Sequence, residues 1–359
     1  MMNRLHPALR RILPQLITLV VVLGCNVLVF PDFFKIEMSN GRLYGSIIDI
    51  LNRGAPVALL AIGMTLVIAT KGIDLSVGAV MAICGAVAAA AVAGGSDVAT
   101  AVVLALCAGI VCGLWNGFLV AVLNIQPIVA TLILMVAGRG VAQLITEGVI
   151  LTFTNEGLIF LGSGSLMALP MPFLIWLGFG VLTAILVRKT ALGLLIEAVG
   201  INLRASTLSG VRGNVLIVAV YAISGLCAAM AGIIVAADIK GADANNAGLW
   251  LELDAILAVV IGGTSLLGGR FTLVGSLIGA MIIQSINTGI LLSGFPPEFN
   301  LIIKAFIILV ILIIQSPIVQ SVLFALRMPP DLSNDDTEPV EGGSARDRDA
   351  SVQKEGMAP

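Results

Sequence analysis

Residues 99 to 123 read ATAVVLALCAGIVCGLWNGFLVAVL. Twenty-five residues pass without a charge, and only Thr100 and Asn116 carry a hydroxyl or an amide. As a helix the run would be about 37 Å long. That exceeds the roughly 30 Å hydrocarbon core of a bilayer. Its apolar residues are continuous rather than alternating, which is the pattern of a transmembrane helix and not of a barrel strand.

Nine further runs lie on either side: 16–30, 47–70, 76–93, 127–146, 169–187, 215–237, 249–267, 272–292 and 301–315. Two are irregular. The run 47–70 contains Asp49, Arg53 and Pro56, so its first turns are expected to be interfacial or broken. The run 249–267 contains Glu252 and Asp254, which shortens its apolar part and points to a partly re-entrant segment. Composition agrees: 58% of the 359 residues are hydrophobic, 11% are charged and mean hydropathy is +1.09. A soluble domain has about 25% charged residues. The expected fold is therefore an all-α polytopic membrane protein with about ten transmembrane helices.

Orientation follows from Lys and Arg in short loops. With the N-terminus in the cytoplasm, ten basic residues fall inside, among them Arg4, Lys71, Arg188, Arg204 and Arg270. Five fall outside or at that boundary: Lys35, Arg42, Arg53, Lys240 and Lys304. Ten spans then bring the C-terminus inside as well. Residues 1–15 form a basic cytoplasmic arm that holds the single histidine, His6; 16–316 form the membrane domain; 317–359 form a cytoplasmic tail. From Asp331 onward eight acids face three bases, so the end of the tail is −5 and the rest of the chain +3. Such a stretch has too few apolar residues to fold on its own. Val22-Leu23-Gly24-Cys25 has the form of a lipoprotein cleavage box. It is read as part of a retained span, because nothing downstream has the composition of an exported soluble domain.

The motifs exclude several chemistries. There is no P-loop, no HExxH and no GxSxG. Cys25, Cys84, Cys107, Cys112 and Cys227 sit in apolar runs without metal-ligand or disulfide spacing. Neither a metal, a cofactor nor a catalytic residue is expected in this chain. Transport is the better class. An intramembrane enzyme would need acids, bases or nucleophiles grouped inside spans, and an ion-coupled secondary transporter would need an ionisable site at mid-membrane. Arg139 is the clearest charge within a span, and no acid sits at the middle of one.

Four polar stretches remain. Residues 190–213, TALGLLIEAVGINLRASTLSGVRG, place Leu192, Ile196, Val199 and Leu203 on one helical face. Asn202 is placed to cap a second short helix and Gly210 to stop it. The segment either lies on a membrane surface, docks into another protein or is a basic loop that fixes topology. Second, Lys71-Gly72-Ile73-Asp74-Leu75-Ser76-Val77-Gly78 links two spans, with Asp74 or Ser76 as cap of the next helix. It is either a hinge near a pathway or a tight capped turn. Third, residues 238–254 combine Asp243, Asn245, Asn246, Trp250, Glu252 and Asp254. These types suit a sugar, a delivery protein or plain solvation. Fourth, Thr65, Asn116, Gln143, Gln284 and Asn287 are neutral polar groups inside spans. They suit either a pathway for an uncharged polyhydroxyl solute or interhelical bonding. Gly72, Val77 and Gly78 align with Gly269, Val274 and Gly275, three identities that do not establish a repeat.

GIDLSVGAVMA, NGFLVAVLNIQPIVATLILMVAGRG, the TALG…EAVGINLRASTLSGV segment and DAILAVVIGGTSLLGGRFTLVGSLIGA together resemble the ribose-type permeases of bacterial ABC sugar importers. The resemblance covers residues 45–315, and within the family NRGAPVALLAIGMTLVIAT and NTGILLSGFPPE look most like the galactofuranose branch. It implies a permease subunit in the bacterial inner membrane, with ATP and Mg bound by separate ATPase subunits. It further implies a second permease chain, related or identical, and a periplasmic sugar-binding protein. Lipid is the surrounding partner, and nucleic acid is not one. Residues 188–213 match the family's ATPase-docking loop, which assigns Glu197, Gly200, Asn202, Arg204, Leu208 and Gly210 to that interface. Thr65, Asp74, Asn116, Asn245, Asn246, Trp250, Asp254 and Asn287 are the pathway candidates. Two positions depart from the family pattern. Leu194 stands where many relatives carry a base, and Gly200-Ile201-Asn202 where many read Gly-Gly-Asn.

Overall fold

The computed structural model describes residues 7–39, 42–294 and 297–315. The first half of the basic arm, with His6, and the tail from residue 316 lie outside the described residues.

In chain order the elements begin with α1 (Pro7–Val29), β1 (Glu37–Ser39), β2 (Arg42–Tyr44), α2 (Ser46–Arg53) and α3 (Ala55–Ala69). Next come α4 (Val77–Ala93), α5 (Val98–Ala121), α6 (Pro127–Ile145), β3 (Leu151–Thr152), α7 (Glu156–Ser163), β4 (Ser165–Leu166) and β5 (Leu169–Pro170). The rest are α8 (Met171–Lys189), α9 (Leu192–Ile201), α10 (Leu203–Leu208), α11 (Gly213–Asp238), β6 (Gly241–Ala242), α12 (Leu251–Ile261), α13 (Leu273–Leu292) and α14 (Pro297–Gln315). The helical expectation holds, with three small antiparallel pairings added: β1 with β2, β3 with β6 and β4 with β5.

Among the described residues, α1, α5, α6, α8, α11 and α13 are long and apolar enough to cross a membrane alone. Helices α2 and α3, bent by 44° to one another, pass the same test only as a pair, either as a broken span or as a re-entrant loop. Gly54 sits at the bend and Pro56 within the first turn of α3, where a missing N–H costs nothing. The other three predicted runs correspond to α4 with 17 residues, α12 with 11 and α14 with 19. At 11 residues α12 is about 17 Å long, half a crossing. Leu249 and Leu267, the ends predicted for that run, lie outside the helix. Helix α1 begins at Pro7, so the expected boundary at residue 15 falls inside a helix.

Every residue of α3 is buried, and most of α4 and α11 with it. A helix apolar on all sides belongs at the centre of a bundle. Helices α5 and α11 approach until the Gly225 backbone meets that of Gly109, a separation only a residue without Cβ permits. The outward sides of α5 and α6 expose Val111, Trp115, Phe118 and Val136, as a lipid-facing surface should. Asp97 caps α5 by accepting from the Thr100 N–H (3.2 Å), and Asn155 caps α7 through the N–H groups of Gly157 and Leu158.

The connectors separate into two ends. At one end Lys71, the α9–α10 segment and Gly269 touch one another. At the other, Arg42 donates to the Ser163 carbonyl (3.1 Å), β3 pairs with β6, and Gly162 of α7 packs on the last turn of α11.

Candidate functional site

Residues 190–213 fold as two short helices at one end of the bundle. Ile196, Val199 and Gly200 bury one face of α9, while Leu192 and Leu203 of the predicted stripe stay partly exposed. The Asn202 side-chain oxygen accepts from the Ala205 N–H (3.0 Å) and caps α10, and Gly210 follows the helix at φ +89°. Both features are as read from the sequence.

Gly200 is the point of attachment. A Cβ there would collide with the Ala69 carbonyl oxygen at the end of α3 and lie 2.8 Å from the Gly269 nitrogen. That nitrogen donates to the same Ala69 carbonyl (2.9 Å), and Lys71 Nζ donates to the Ile201 carbonyl (3.0 Å). So α9 rests on the joint between the α3–α4 turn and the α12–α13 turn, the two stretches aligned above. Beside it Arg188, Glu197, Leu194 and Phe271 line a groove of about 330 Å³.

The six docking candidates therefore differ in place. Arg204 and Leu208 are exposed, Leu208 to 85%. Glu197 is half-buried in the groove, Gly200 is inside, Asn202 has its oxygen committed to the cap, and Gly210 is an exposed turn. Leu194, where a base was expected, is 73% exposed. Together with Ile201 and Leu208 it gives the segment an apolar outer surface.

Asp74 and Asn116 come together in the centre of the bundle. Asp74 Oδ1 accepts from the Ser76 N–H (3.1 Å), the Ser76 hydroxyl (2.6 Å) and Asn116 Nδ2 (3.4 Å). Its Oδ2 accepts from the Ser224 hydroxyl (2.8 Å). Asn116 Nδ2 also donates to Ser76 Oγ (2.8 Å). Neither the Asp74 nor the Ser76 side chain accepts from an N–H inside α4, so the capped-turn reading is replaced by a buried knot joining α5, α11 and the α3–α4 turn. Two atoms beside it, Asn116 Oδ1 and Tyr221 Oη, are buried without a hydrogen-bond partner among the described residues. Ser224 and Tyr221 were missed because single polar residues in an apolar run announce no partner.

The far-end loop is held rather than loose. Asp243 accepts from the N–H groups of Asn245 and Asn246 and from Asn246 Nδ2 (2.8 Å). The side-chain bond from Asn246 holds the Asp243 carboxyl below its usual range, against a smaller opposing effect of burial. Gln143 Nε2 donates to Asn245 Oδ1 (2.7 Å), and Arg139 donates to the carbonyls of Ala244 and Ala247. Arg139, the charge inside a span, is thus a clamp on this loop. Trp250 adopts φ +67° and half its surface is open.

The remaining pathway candidates are dispersed. Thr65 donates to Ala61 and to Ser276 Oγ (2.8 Å), bonding α3 to α13. Asp254 is ion-paired with Lys304 at 2.7 Å, clasping α12 to α14. Asn287 lies on α13 with its buried Oδ1 unpartnered among the described residues.

With this geometry in hand, comparison with known proteins decides the class. The family model described as branched-chain amino acid transport system / permease component matches residues 46–312. The chain belongs to this permease family. It is 64% identical over 304 residues to the galactofuranose transporter permease protein YtfT of Escherichia coli K12, covering 85% of this chain and 89% of that one. It is 43% identical over 292 residues to the fructose import permease protein FruF of Bifidobacterium longum (80% and 82% covered). Identity to the ribose import permease protein RbsC of Escherichia coli K12 is 39% over 308 residues (84% and 92% covered). No solved structure matches. The chain is a multi-pass inner-membrane permease of an ATP-binding-cassette importer, a transport component rather than an enzyme.

Proposed function

We propose that this permease imports a monosaccharide, galactofuranose or a similar furanose-form sugar, and is driven by ATPase subunits that grip the α9–α10 segment. The similarity to permeases named for galactofuranose, fructose and ribose supports the sugar class. One structural observation carries the mechanism: Gly200 seats α9 against the Ala69 carbonyl and the Gly269 nitrogen. A push on α9 therefore reaches the α3–α4 and α12–α13 hairpins at once.

In this reading the chain crosses the membrane ten times, with both termini and residues 188–213 in the cytoplasm. ATP and Mg are bound by partner subunits. A second permease, related or identical, completes the channel, and a periplasmic sugar-binding protein docks at the far end, near Asn245, Asn246 and Trp250. Arg204, Leu208 and the groove at Glu197 meet the ATPase, while Gly200, Asn202 and Gly210 shape the segment. Asp74 and Asn116 hold the centre of the moving bundle, and Thr65, Asp254 and Asn287 set helix positions along the route. ATP shifts the permease between outward- and inward-open states because the ATPases bind those states with different affinity.

The test is an Arg204→Glu, Leu208→Glu double variant in the reconstituted importer. Sugar-stimulated ATP hydrolysis is expected to be lost. Unchanged stimulation would remove the mechanism. Uptake by this chain alone, abolished by an uncoupler and indifferent to ATP, would show an ion-coupled transporter instead.

A further inference from the structure

A second polar site lies where α2 meets α3. Asn52, Arg53, Pro56, Ile234, Asp238 and Gln284 line a cavity of about 240 Å³. Helix α3 runs about 22 Å from this cavity to the seat of α9, and α2 continues about 12 Å beyond it. The cavity therefore lies at the end away from the α9–α10 segment, beside the last turn of α11.

Arg53 and Asp238 are both exposed at this end of the bundle, Asp238 as the last residue of α11. Here a guanidinium and a carboxylate face one cavity, and Arg53 exerts its charge on Asp238. Yet neither side chain forms an ion pair or hydrogen bond among the described residues. Asn52 Oδ1 is buried without a partner among the described residues. Gln284 is 7% exposed, and its amide reaches only Thr288 Oγ1 at 3.5 Å. The helix break at Gly54 lies beside them.

We propose that this cavity is a transit subsite for one monosaccharide, an inference that rests on the sugar-import reading. Asp238 accepts from hydroxyls, Arg53 and the amides of Asn52 and Gln284 donate to ring and hydroxyl oxygens, and Pro56 and Ile234 meet the C–H face. The volume is below the roughly 300–1,000 Å³ of pockets for drug-sized ligands, which selects a single sugar ring over an oligosaccharide.

The experiment uses the complete importer in proteoliposomes, with radiolabelled D-galactose equilibrated among its ring forms as probe. Asp238→Asn and Arg53→Gln should each cut maximal uptake about tenfold or more, as expected when a charge-assisted hydrogen bond is lost. Separately, Asn52→Cys should react with an impermeant thiol reagent from the outer side, and D-galactose should slow that reaction. Wild-type uptake by both charge variants would overturn the proposal. So would loss of uptake without protection of Asn52→Cys by sugar, which would make these residues structural. If the unmodified importer moves no sugar when ATP is supplied, the import reading itself is what falls.

Discussion

Replacing Gly200 with alanine adds one methyl group at the seat of α9. That methyl would collide with the Ala69 carbonyl oxygen, 2.8 Å from the Gly269 nitrogen and 3.0 Å from the Ala69 carbonyl carbon. All three are backbone atoms, so no side-chain rotation relieves the clash. Overpacking of this kind costs about 1–3 kcal/mol. Separation also breaks the Gly269 N–H bond to Ala69, worth about 1 kcal/mol. The sum equals or exceeds the roughly 1–3 kcal/mol by which two coupled sites usually influence each other. Gly200→Ala should therefore lower sugar-stimulated ATP hydrolysis about tenfold or more in the reconstituted importer. Copurification of the ATPase should persist, because Arg204 and Leu208 remain on the surface. Gly178→Ala, where a Cβ meets nothing within 4 Å, serves as the control and should behave as wild type. Normal stimulation in Gly200→Ala would refute the idea that force passes through this contact.

Further outcomes follow from the buried groups. Asp254→Asn or Lys304→Met leaves one charge unpaired and should cost about 3–5 kcal/mol, read as a lower unfolding temperature in detergent, with much of the loss recovered in an Asp254→Leu, Lys304→Met double variant. Asp74→Asn places an amide N–H among groups that all donate to this carboxylate, so about 1–3 kcal/mol of stability should be lost in the same assay. Asn202→Ala removes the cap of α10, about 1 kcal/mol, and should speed proteolytic cleavage near residue 205 while the bundle stays intact. The lowered pKa of Asp243 means the bonds to Asn245 and Asn246 are fully present above the unfolded carboxyl value of about 4 and fail as pH falls through the lower folded value. Hydrogen exchange in 243–247 should be flat, after correction for intrinsic rates, from about pH 8 to about 5 and quicken below about 4.

The apolar runs were legible because a bilayer demands about 20 continuous residues per helix, and 99–123 satisfies that without tertiary help. The α9–α10 caps were legible because Asn202 and Gly210 act on their own neighbours. What escaped the sequence is long-range. Asp74 bonds Ser224 across 150 positions, and Asp254 meets Lys304 across 50. A local turn rule therefore misread Asp74 as a cap. The first turns of the run 47–70 were read as interfacial or broken, and the 44° bend and the exposed Arg53 agree, but nothing near Arg53 in sequence reveals that Asp238 and Gln284 share its cavity. The short length of α12 was hinted at by Glu252 and Asp254, but its end at Ile261 depends on the turn that carries Gly263 at φ +84°.

The sidedness of the α9–α10 segment tests the whole account most directly. Leu208→Cys, at a position 85% exposed, can be reacted with an impermeant thiol reagent in inside-out and right-side-out vesicles, with and without the ATPase subunit. The account predicts labelling only in inside-out vesicles, suppressed when the ATPase is bound. Labelling in right-side-out vesicles, or labelling that the ATPase leaves unchanged, would contradict it.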